Sequence, residues 1–284
     1  MRNRVRAAPA DRFEVVLLDL DGTVYVWPDA VPGSPEAVAT LRARGCRIGF
    51  LTNDPRQDRA GYAQRLEKIG IPAAPEEVVT TGVALAVLLR REGFAGARAL
   101  VLGTPAFRAE VLAAGLADGD GADPRSIDLV VVGGSADLGS RELTTATRAL
   151  RAGARLFGSN RDPVFPTPSG PAPAAGPYLA SVEVAGGVVA TTAGKPELPI
   201  FEAARQQLGS GPGAMVATGW TPTWPAASRP AWPACWSSRA APPSRTWPSR
   251  PSSPTWSAPT SQPSPGSPDA GAQGTSVVAS GSSS

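Results

Sequence analysis

The fold of this chain is decided by one stretch near its N-terminus, Val15-Val16-Leu17-Leu18-Asp19-Leu20-Asp21-Gly22-Thr23-Val24-Tyr25. A continuous apolar run of strand length is typical of a strand in a parallel sheet that helices cover on both faces. In such sheets ligands bind at the carboxyl ends of the strands, where Asp19 and Asp21 would lie. Two carboxylates this close repel each other unless a cation or a proton intervenes, so the pattern favours a hard divalent ion. The alternative is a strand that ends in an acidic turn.

The next elements complete a βαβ unit. Ser34-Pro35-Glu36 has the residues of a helix start, and Arg47–Leu51 predicts a second buried strand that ends at Thr52-Asn53. Both polar strand ends should therefore lie at the same edge of the sheet. Further helices are predicted over 58–69 and 75–91.

Composition excludes several classes of protein. The 284 residues (29.0 kDa) suffice for two modest domains or one large one. The net charge is +3, but the arginines are scattered rather than clustered, so we expect no nucleic-acid partner. The absence of histidine excludes His-based triads and His metal sites. Two cysteines without metal spacing fit a reducing cytoplasm. No apolar run is long enough for a membrane span, and no signal peptide is evident.

The middle of the chain begins a new alternation of strands and helices. Strands are predicted at 99–103 and 128–133 and helices at 107–116 and 141–151, which together make a small α/β domain. The segment 163–177 is so rich in proline and glycine that we expect no regular structure there.

These motifs resemble those of the haloacid dehalogenase superfamily, whose members are mostly magnesium-dependent phosphatases. The extension of the first motif to Val24-Tyr25 is similar to class IIA, the branch of p-nitrophenylphosphatase-like and nucleotidase-like enzymes with a large inserted cap. The resemblance covers Phe13 to Val216. It implies an α/β fold: a Rossmann-like parallel-sheet core (1–82 and 184–217), an inserted α/β cap (83–183), and a disordered C-terminal tail (218–284).

By resemblance, Asp19 is the nucleophile and forms an aspartyl-phosphate, while Asp21 serves as general acid and base. The same resemblance implies Mg²⁺ as cofactor, held by the Asp19 carboxylate and the Asp21 backbone carbonyl. Both aspartates are thus candidate catalytic residues and candidate metal ligands.

The resemblance also implies the residues that contact the substrate. Thr52, Asn53 and Lys195 would bind the phosphate, with Lys195 neutralising both the nucleophile and the phosphate. Lys195 is one of only two lysines in the chain and follows the cap in the order that the family requires. Asn160 and Asp162 match a cap loop that contacts substrate. A polar turn before a proline-rich loop explains them equally well.

The resemblance ends after Val216. The family's fourth motif is a Gly-Asp pair that completes the metal site, but this chain continues as Ala217-Thr218-Gly219-Trp220 and has no acid between Glu202 and Asp269. With freely chosen GC-rich codons, one extra base within the codon of Val216 restores Gly-Asp-Arg-Leu-Asp-Thr-Asp in a shifted frame. We therefore interpret the tail as frameshifted. The alternative is a native low-complexity segment.

Two functions remain open from the sequence. The lineage predicts a phosphatase of small phosphate monoesters, impaired because the fourth motif is missing, and the chain as written also fits an inactive relic that binds phosphate ligands. The expected partner is a small phosphorylated substrate, with neither nucleic acid nor membrane. Because caps of this class often mediate dimers, a homodimer through the cap is a further candidate.

Overall fold

The computed structural model describes residues 13–134, 138–167, 170–218 and 235–237. Strands and helices alternate along most of this chain. The strands are β1 (Val15–Asp19), β2 (Tyr25–Val26), β3 (Asp29–Ala30), β4 (Arg47–Leu51), β5 (Val78–Val79), β6 (Arg98–Leu102), β7 (Ala117–Asp118), β8 (Leu129–Val132), β9 (Arg155–Gly158), β10 (Val164–Thr167), β11 (Gly170–Pro173), β12 (Thr191–Thr192), β13 (Gly213–Ala217) and β14 (Cys235–Ser237). The helices are α1 (Ser34–Ala43), α2 (Arg59–Lys68), α3 (Thr81–Arg91), α4 (Pro105–Leu112), α5 (Ser140–Arg151), α6 (Ala175–Gly186) and α7 (Leu198–Leu208).

Two five-stranded parallel sheets organise the structure. The first has the order β14-β13-β1-β4-β5, and the second has the order β12-β9-β8-β6-β7. This confirms the α/β class with a parallel-sheet core. The first sheet is called the core sheet below, and the second is called the cap sheet.

The apolar residues of β1 divide between two packing layers because side chains alternate along a strand. Val16 and Leu18 pack with α1 and α2, and Val15 and Leu17 pack on the opposite face of the core sheet. There they join α3, α7 and one face of the cap sheet in a single apolar cluster. Helices α5 and α6 cover the other face of the cap sheet.

Helix α3 lies at the centre of this arrangement. It contacts α7 on its core side and α4 on its cap side, and most of its residues are buried. A helix that is apolar nearly all round needs neighbours on every side, and α3 finds them in both halves of the molecule. The segment 75–91 was predicted to be helical throughout. That prediction is wrong for Val78–Val79, because this β-branched pair extends the core sheet beside β4.

The segment 163–177 is more regular than predicted. Strands β10 and β11 form an antiparallel hairpin, and α6 already begins at Ala175. Prolines are tolerated here because a two-stranded ribbon has only edge strands, where a missing N–H need not break a ladder.

The predicted domain boundaries also shift. The boundary at 82/83 falls inside α3, and the boundary at 183/184 cuts α6. Because β12 pairs with β9, the cap sheet continues to Thr192. The predicted disordered tail, 218–284, lies mostly outside the described residues. Within it, Cys235–Ser237 form β14 beside β13 in the core sheet, a strand that the expected disordered tail did not include.

Candidate active site

Asp19 and Asp21 lie at the carboxyl edge of the core sheet. Asp19 is the last residue of β1, and Asp21 follows in a turn in which Gly22 has φ +77°. A positive φ is open to glycine at little cost, so the chain can leave the sheet abruptly after the two acids. The Lys195 ammonium forms an ion pair with Asp19 Oδ1, and the two side chains are only 11% and 19% exposed. The predicted nucleophile and the predicted phosphate-binding lysine are therefore in direct contact.

The environment of Asp21 raises its pKa to about 6. Desolvation by the surrounding protein atoms is the main cause because it disfavours the charged form, although part of the Asp21 surface is exposed, and the nearby carboxylates of Asp54 and Asp19 act in the same direction. Arg56 and Lys195 oppose the shift. A carboxyl that titrates near neutral pH can both donate and accept a proton, as a general acid and base must.

Thr52 and Asn53 follow β4, directly beside the end of β1. Thr52 is buried, and its hydroxyl accepts a hydrogen bond from the backbone N–H of Asp54 at 3.0 Å. Asn53 Oδ1 accepts from the backbone N–H of Lys195 at 2.8 Å, and Asn53 Nδ2 donates to Lys195 O and to Asp162 Oδ2, both at 2.9 Å. The Asn53 side chain thus holds the lysine loop to the cap loop.

The loop of Lys195 depends on a close approach to this asparagine. A Cβ at Gly194 would lie 2.7 Å from Asn53 Oδ1 and 2.7 Å from Ser159 O, too close for any other residue without movement. The backbone N–H of Gly194 also donates to Ser159 O at 2.7 Å. The cap strand end therefore supports the loop that presents Lys195.

Asn160 and Asp162 line the cavity, and Asn160 is almost fully buried. Its Nδ2 donates to Asn53 O at 2.7 Å, and its Oδ1 accepts from the backbone N–H of Asp162 at 2.9 Å. These contacts join cap to core. Whether either residue touches substrate stays a prediction.

Sequence reasoning missed the pair formed by Asp54 and Arg56. Arg56 donates from Nε and Nη2 to the two carboxylate oxygens of Asp54, each at 2.7 Å, and its guanidinium lies 4.1 Å from the ring centroid of Phe165 on β10. Both residues line the same cavity as Asp19. The available signal was an acid and an arginine two residues apart immediately after a strand-end motif.

Thr218 lies at the carboxyl end of β13, the other neighbour of β1. Its hydroxyl donates to Gly22 O at 2.7 Å, and its backbone N–H donates to Thr23 Oγ1 at 2.9 Å. Thr218 also lines the cavity with Asp19 and Asp21. The position beside the two acids is therefore filled by a neutral residue whose hydroxyl proton is already used.

One cavity of about 920 Å³ collects these groups. Its inner end holds Asp19, Asp21, Thr52 and Lys195. Residues of the cap contribute a largely apolar wall, which includes Val164, Phe165, Ala172, Pro173 and Tyr178. The oxygen atoms of Asp19, Asp21 and Thr52 are the type of ligand that a hard cation prefers. The number of ligands is small, because the described part of the chain contains no cluster of three acidic, histidine or cysteine side chains that could hold a metal.

Comparison with known proteins identifies the family. A model described as haloacid dehalogenase-like hydrolase matches residues 16–117. Human glycerol-3-phosphate phosphatase is 36% identical over 241 residues, which are 76% of this chain and 75% of that protein. A 5'-nucleotidase of Bacillus subtilis is 32% identical over 194 residues, 68% and 74% of the two chains.

A solved structure supports the same assignment. The glycerol phosphate phosphatase from Mycobacterium tuberculosis in complex with magnesium matches with a TM-score of 0.67 and 32% identity, over 73% of this chain and 62% of that one. The present chain thus spans less than two thirds of that structure. Among the described residues, no helix is both long and apolar enough to cross a membrane. The family predicted from the first motif is confirmed: the chain belongs to the haloacid dehalogenase-like hydrolases, in a lineage of phosphoric monoester hydrolases.

Proposed function

We propose that this chain hydrolyses small phosphate monoesters slowly, with the help of Mg²⁺ and through an aspartyl-phosphate intermediate. One observation carries the proposal. Asp19, Asp21, Thr52 and Lys195 come from three separate segments and meet at one end of one cavity, with Lys195 ion-paired to Asp19. A nucleophile next to a fixed cation is the arrangement that phosphoryl transfer requires, because the enzyme's task there is positioning and charge stabilisation.

In the proposed reaction Asp19 attacks phosphorus in line, and the bond from phosphorus to the leaving oxygen breaks. Asp21 gives its proton to that oxygen, and an alcohol leaves. Asp21 then takes a proton from water, which attacks the aspartyl-phosphate, frees Asp19 and releases inorganic phosphate. A pKa of about 6 suits both of these proton transfers. Thr52 and Lys195 would stabilise charge on the phosphoryl oxygens throughout.

The proposed metal ligands are the Asp19 carboxylate and the Asp21 backbone carbonyl. Bound there, Mg²⁺ would offset the repulsion between the Asp19 carboxylate and the phosphate. With no third acidic ligand among the described residues, we expect weak Mg²⁺ binding. Asn53 is proposed to bind the phosphate through its backbone amide, while its side chain joins the loops of Lys195 and Asp162.

The class of substrate is proposed from the relatives. The names glycerol-3-phosphate phosphatase and 5'-nucleotidase describe enzymes that act on small phosphorylated metabolites. A small phosphorylated molecule, rather than nucleic acid or membrane, is therefore the proposed partner of this chain. We also propose that the chain forms a homodimer through the cap and that it is located in the cytoplasm.

The test is hydrolysis of p-nitrophenyl phosphate and of sn-glycerol 3-phosphate by the full chain, with and without Mg²⁺. We expect slow, Mg²⁺-stimulated release of phosphate that Asp19→Asn abolishes, because the amide is a far weaker nucleophile. The control Asp118→Asn, on the cap surface, should leave the rate unchanged. Activity that survives Asp19→Asn would refute the proposed nucleophile.

A second candidate function is favoured by Thr218. Because a hydroxyl rather than a carboxylate ends β13 beside Asp19, the chain can hold a phosphate ligand at Lys195 without turning it over. If this second function is right, inorganic phosphate should bind to the chain, and Lys195→Met should weaken that binding. No substrate should be hydrolysed at any Mg²⁺ concentration. Phosphate release that depends on Asp19 would exclude it.

A further inference from the structure

The cavity contains a second cation, Arg56, and its charge is already matched. Arg56 holds Asp54 through two parallel hydrogen bonds of 2.7 Å, and Asp54 Oδ1 also accepts from the backbone N–H of Arg56 at 3.0 Å. Bidentate pairs of this kind fix both the position and the orientation of the guanidinium. The side chain of Asp54 is only 11% exposed, so water screens the pair little on that side.

A residue of the cap also contacts Arg56. The Arg56 guanidinium lies over the ring of Phe165, which stands on the β10–β11 hairpin of the cap. Such a stack favours the charged, planar group and limits its rotation. Arg56 is therefore held between a carboxylate of the core and an aromatic ring of the cap, with 44% of its side chain exposed.

The charged side chains that line the cavity are more often negative than positive. Among the described residues that line the cavity, the cations are Lys195 and Arg56 and the carboxylates are Asp19, Asp21, Asp54 and Asp162. Each cation already has a carboxylate partner. The rest of the cap wall is largely apolar. On this described part of the cavity wall, a second negative charge on a ligand would meet no cation without a carboxylate partner, and it would approach carboxylates or apolar groups.

We propose that the Asp54–Arg56 pair makes the cavity selective for phosphate monoesters whose leaving group carries no negative charge. Asp54 neutralises the charge of Arg56, which would otherwise attract a carboxylate or a second phosphate. This inference rests on the proposed function, because it assumes that the phosphate of the ligand binds at Lys195. It assigns to the two residues a role in discrimination between ligands.

The experiment compares two ligands with the same three-carbon skeleton and the same configuration at C2, sn-glycerol 1-phosphate (D-glycerol 3-phosphate) and 3-phospho-D-glycerate, which differ by a carboxylate in place of a hydroxymethyl group. Affinities are measured by isothermal titration calorimetry on the full chain carrying Asp19→Asn, so that turnover cannot obscure binding. We expect glycerol phosphate to bind at least about tenfold more tightly, since like charges at short range in a partly desolvated site cost on the order of 1 kcal/mol or more.

Substitutions of the pair should move this ratio in opposite directions. Asp54→Asn frees the positive charge of Arg56, so binding of phosphoglycerate should strengthen and the ratio should fall by about tenfold. Arg56→Gln leaves Asp54 without its cation, so the ratio should rise. A variant that merely misfolds would weaken both ligands together and could not produce these opposite shifts.

The chain offers a matched control in Asp118, which pairs with Arg108 on the cap surface outside the cavity. Asp118→Asn also removes a carboxylate from an arginine but should leave the ratio unchanged. Equal affinity for both ligands in the starting protein, or a ratio that Asp54→Asn does not move, overturns the inference alone. If neither ligand binds, the proposed phosphate site fails and the inference fails with it.

Discussion

The ends of β1 and β13 differ in chemistry although they are nearly identical in structure. The two strands are parallel neighbours, with Leu18 opposite Val216, so both end at the same edge of the core sheet. One continues into Asp19 and Asp21, and the other continues into Thr218. The backbone thus places three consecutive strand ends, those of β13, β1 and β4, around one cavity whether or not each carries an acid.

This difference shows that packing and chemistry are separable at a strand end. Val216 and its neighbours in β13 are specified by the apolar layers on the two faces of the sheet. Thr218 lies beyond those layers, and it satisfies its own polar groups through Gly22 and Thr23. The fold is therefore kept while the site loses a carboxylate, and the proposed function predicts a weak Mg²⁺ site as the result.

The largest effect is expected from making the two strand ends chemically alike. Thr218→Asp places a carboxylate beside Asp19 and Asp21, so Mg²⁺ should bind more tightly and Mg²⁺-dependent turnover of p-nitrophenyl phosphate should rise by about 100-fold. Steady-state rates over a Mg²⁺ titration measure both effects.

Neutral replacements at the same position separate charge from shape. Thr218→Asn is nearly isosteric with aspartate, and Thr218→Val keeps the size of threonine without its hydroxyl. Neither should raise the rate. If Thr218→Asn gives the same gain as Thr218→Asp, the missing carboxylate is not what limits this site.

The second prediction concerns the strand end that keeps its acids. Lys195→Met leaves Asp19 partly buried without its cation, so the free energy of unfolding should fall by about 2 kcal/mol. Urea denaturation measures this loss. In the double variant Asp19→Asn with Lys195→Met, most of it should return, because no unpaired charge is left behind. A double variant as unstable as the single one would mean that Lys195 stabilises the fold by packing alone.

The parts of the site that the sequence predicted share a physical basis. Asp19 and Thr52 lie at the ends of apolar strands that are neighbours in the core sheet, so those strands place them together. Lys195 stands in the order of the family's motifs, and contacts from Asn53 and Ser159 hold its loop. The pairing of Lys195 with Asp19 then follows from their opposite charges. A local pattern is sufficient where the parallel sheet does the positioning.

The parts that the sequence did not predict depend on distant contacts. Arg56 and Phe165 are more than a hundred positions apart, and nothing in either local sequence indicates that they stack. The motif gave no sign that the side chain of Asn53 also binds Lys195 and Asp162 from two other loops. The β10–β11 hairpin was missed because its prolines argue against a strand everywhere except at an edge.

Glu110 differs from Asp19 because its carboxylate accepts hydrogen bonds from neutral donors, whereas Asp19 is paired with a cation. It lies on α4 of the cap and accepts hydrogen bonds from the Thr80 hydroxyl and from the backbone N–H of Arg59, which begins α2 of the core. Burial raises its pKa above the ordinary value, although these hydrogen bonds and the Arg59 charge act against the shift and Asp58 acts with it. Unlike Asp19, it forms no ion pair within the described residues.

The sign of the resulting pH dependence is fixed. An acid whose pKa is raised on folding binds more protons in the folded state, so its contribution to stability is fully present below about pH 4.5 and is lost as pH rises through the folded-state pKa. Urea denaturation of wild type and Glu110→Gln from pH 4.5 to 8 should show the wild type losing stability relative to the variant. This should be the smallest of the effects. Glu142, whose pKa is lowered mainly by a hydrogen bond from its own backbone N–H, is the matched control, and because it titrates below about pH 4.5, Glu142→Gln should give a flat difference over this pH range. A flat difference for Glu110→Gln would mean that its hydrogen bonds fully offset its burial.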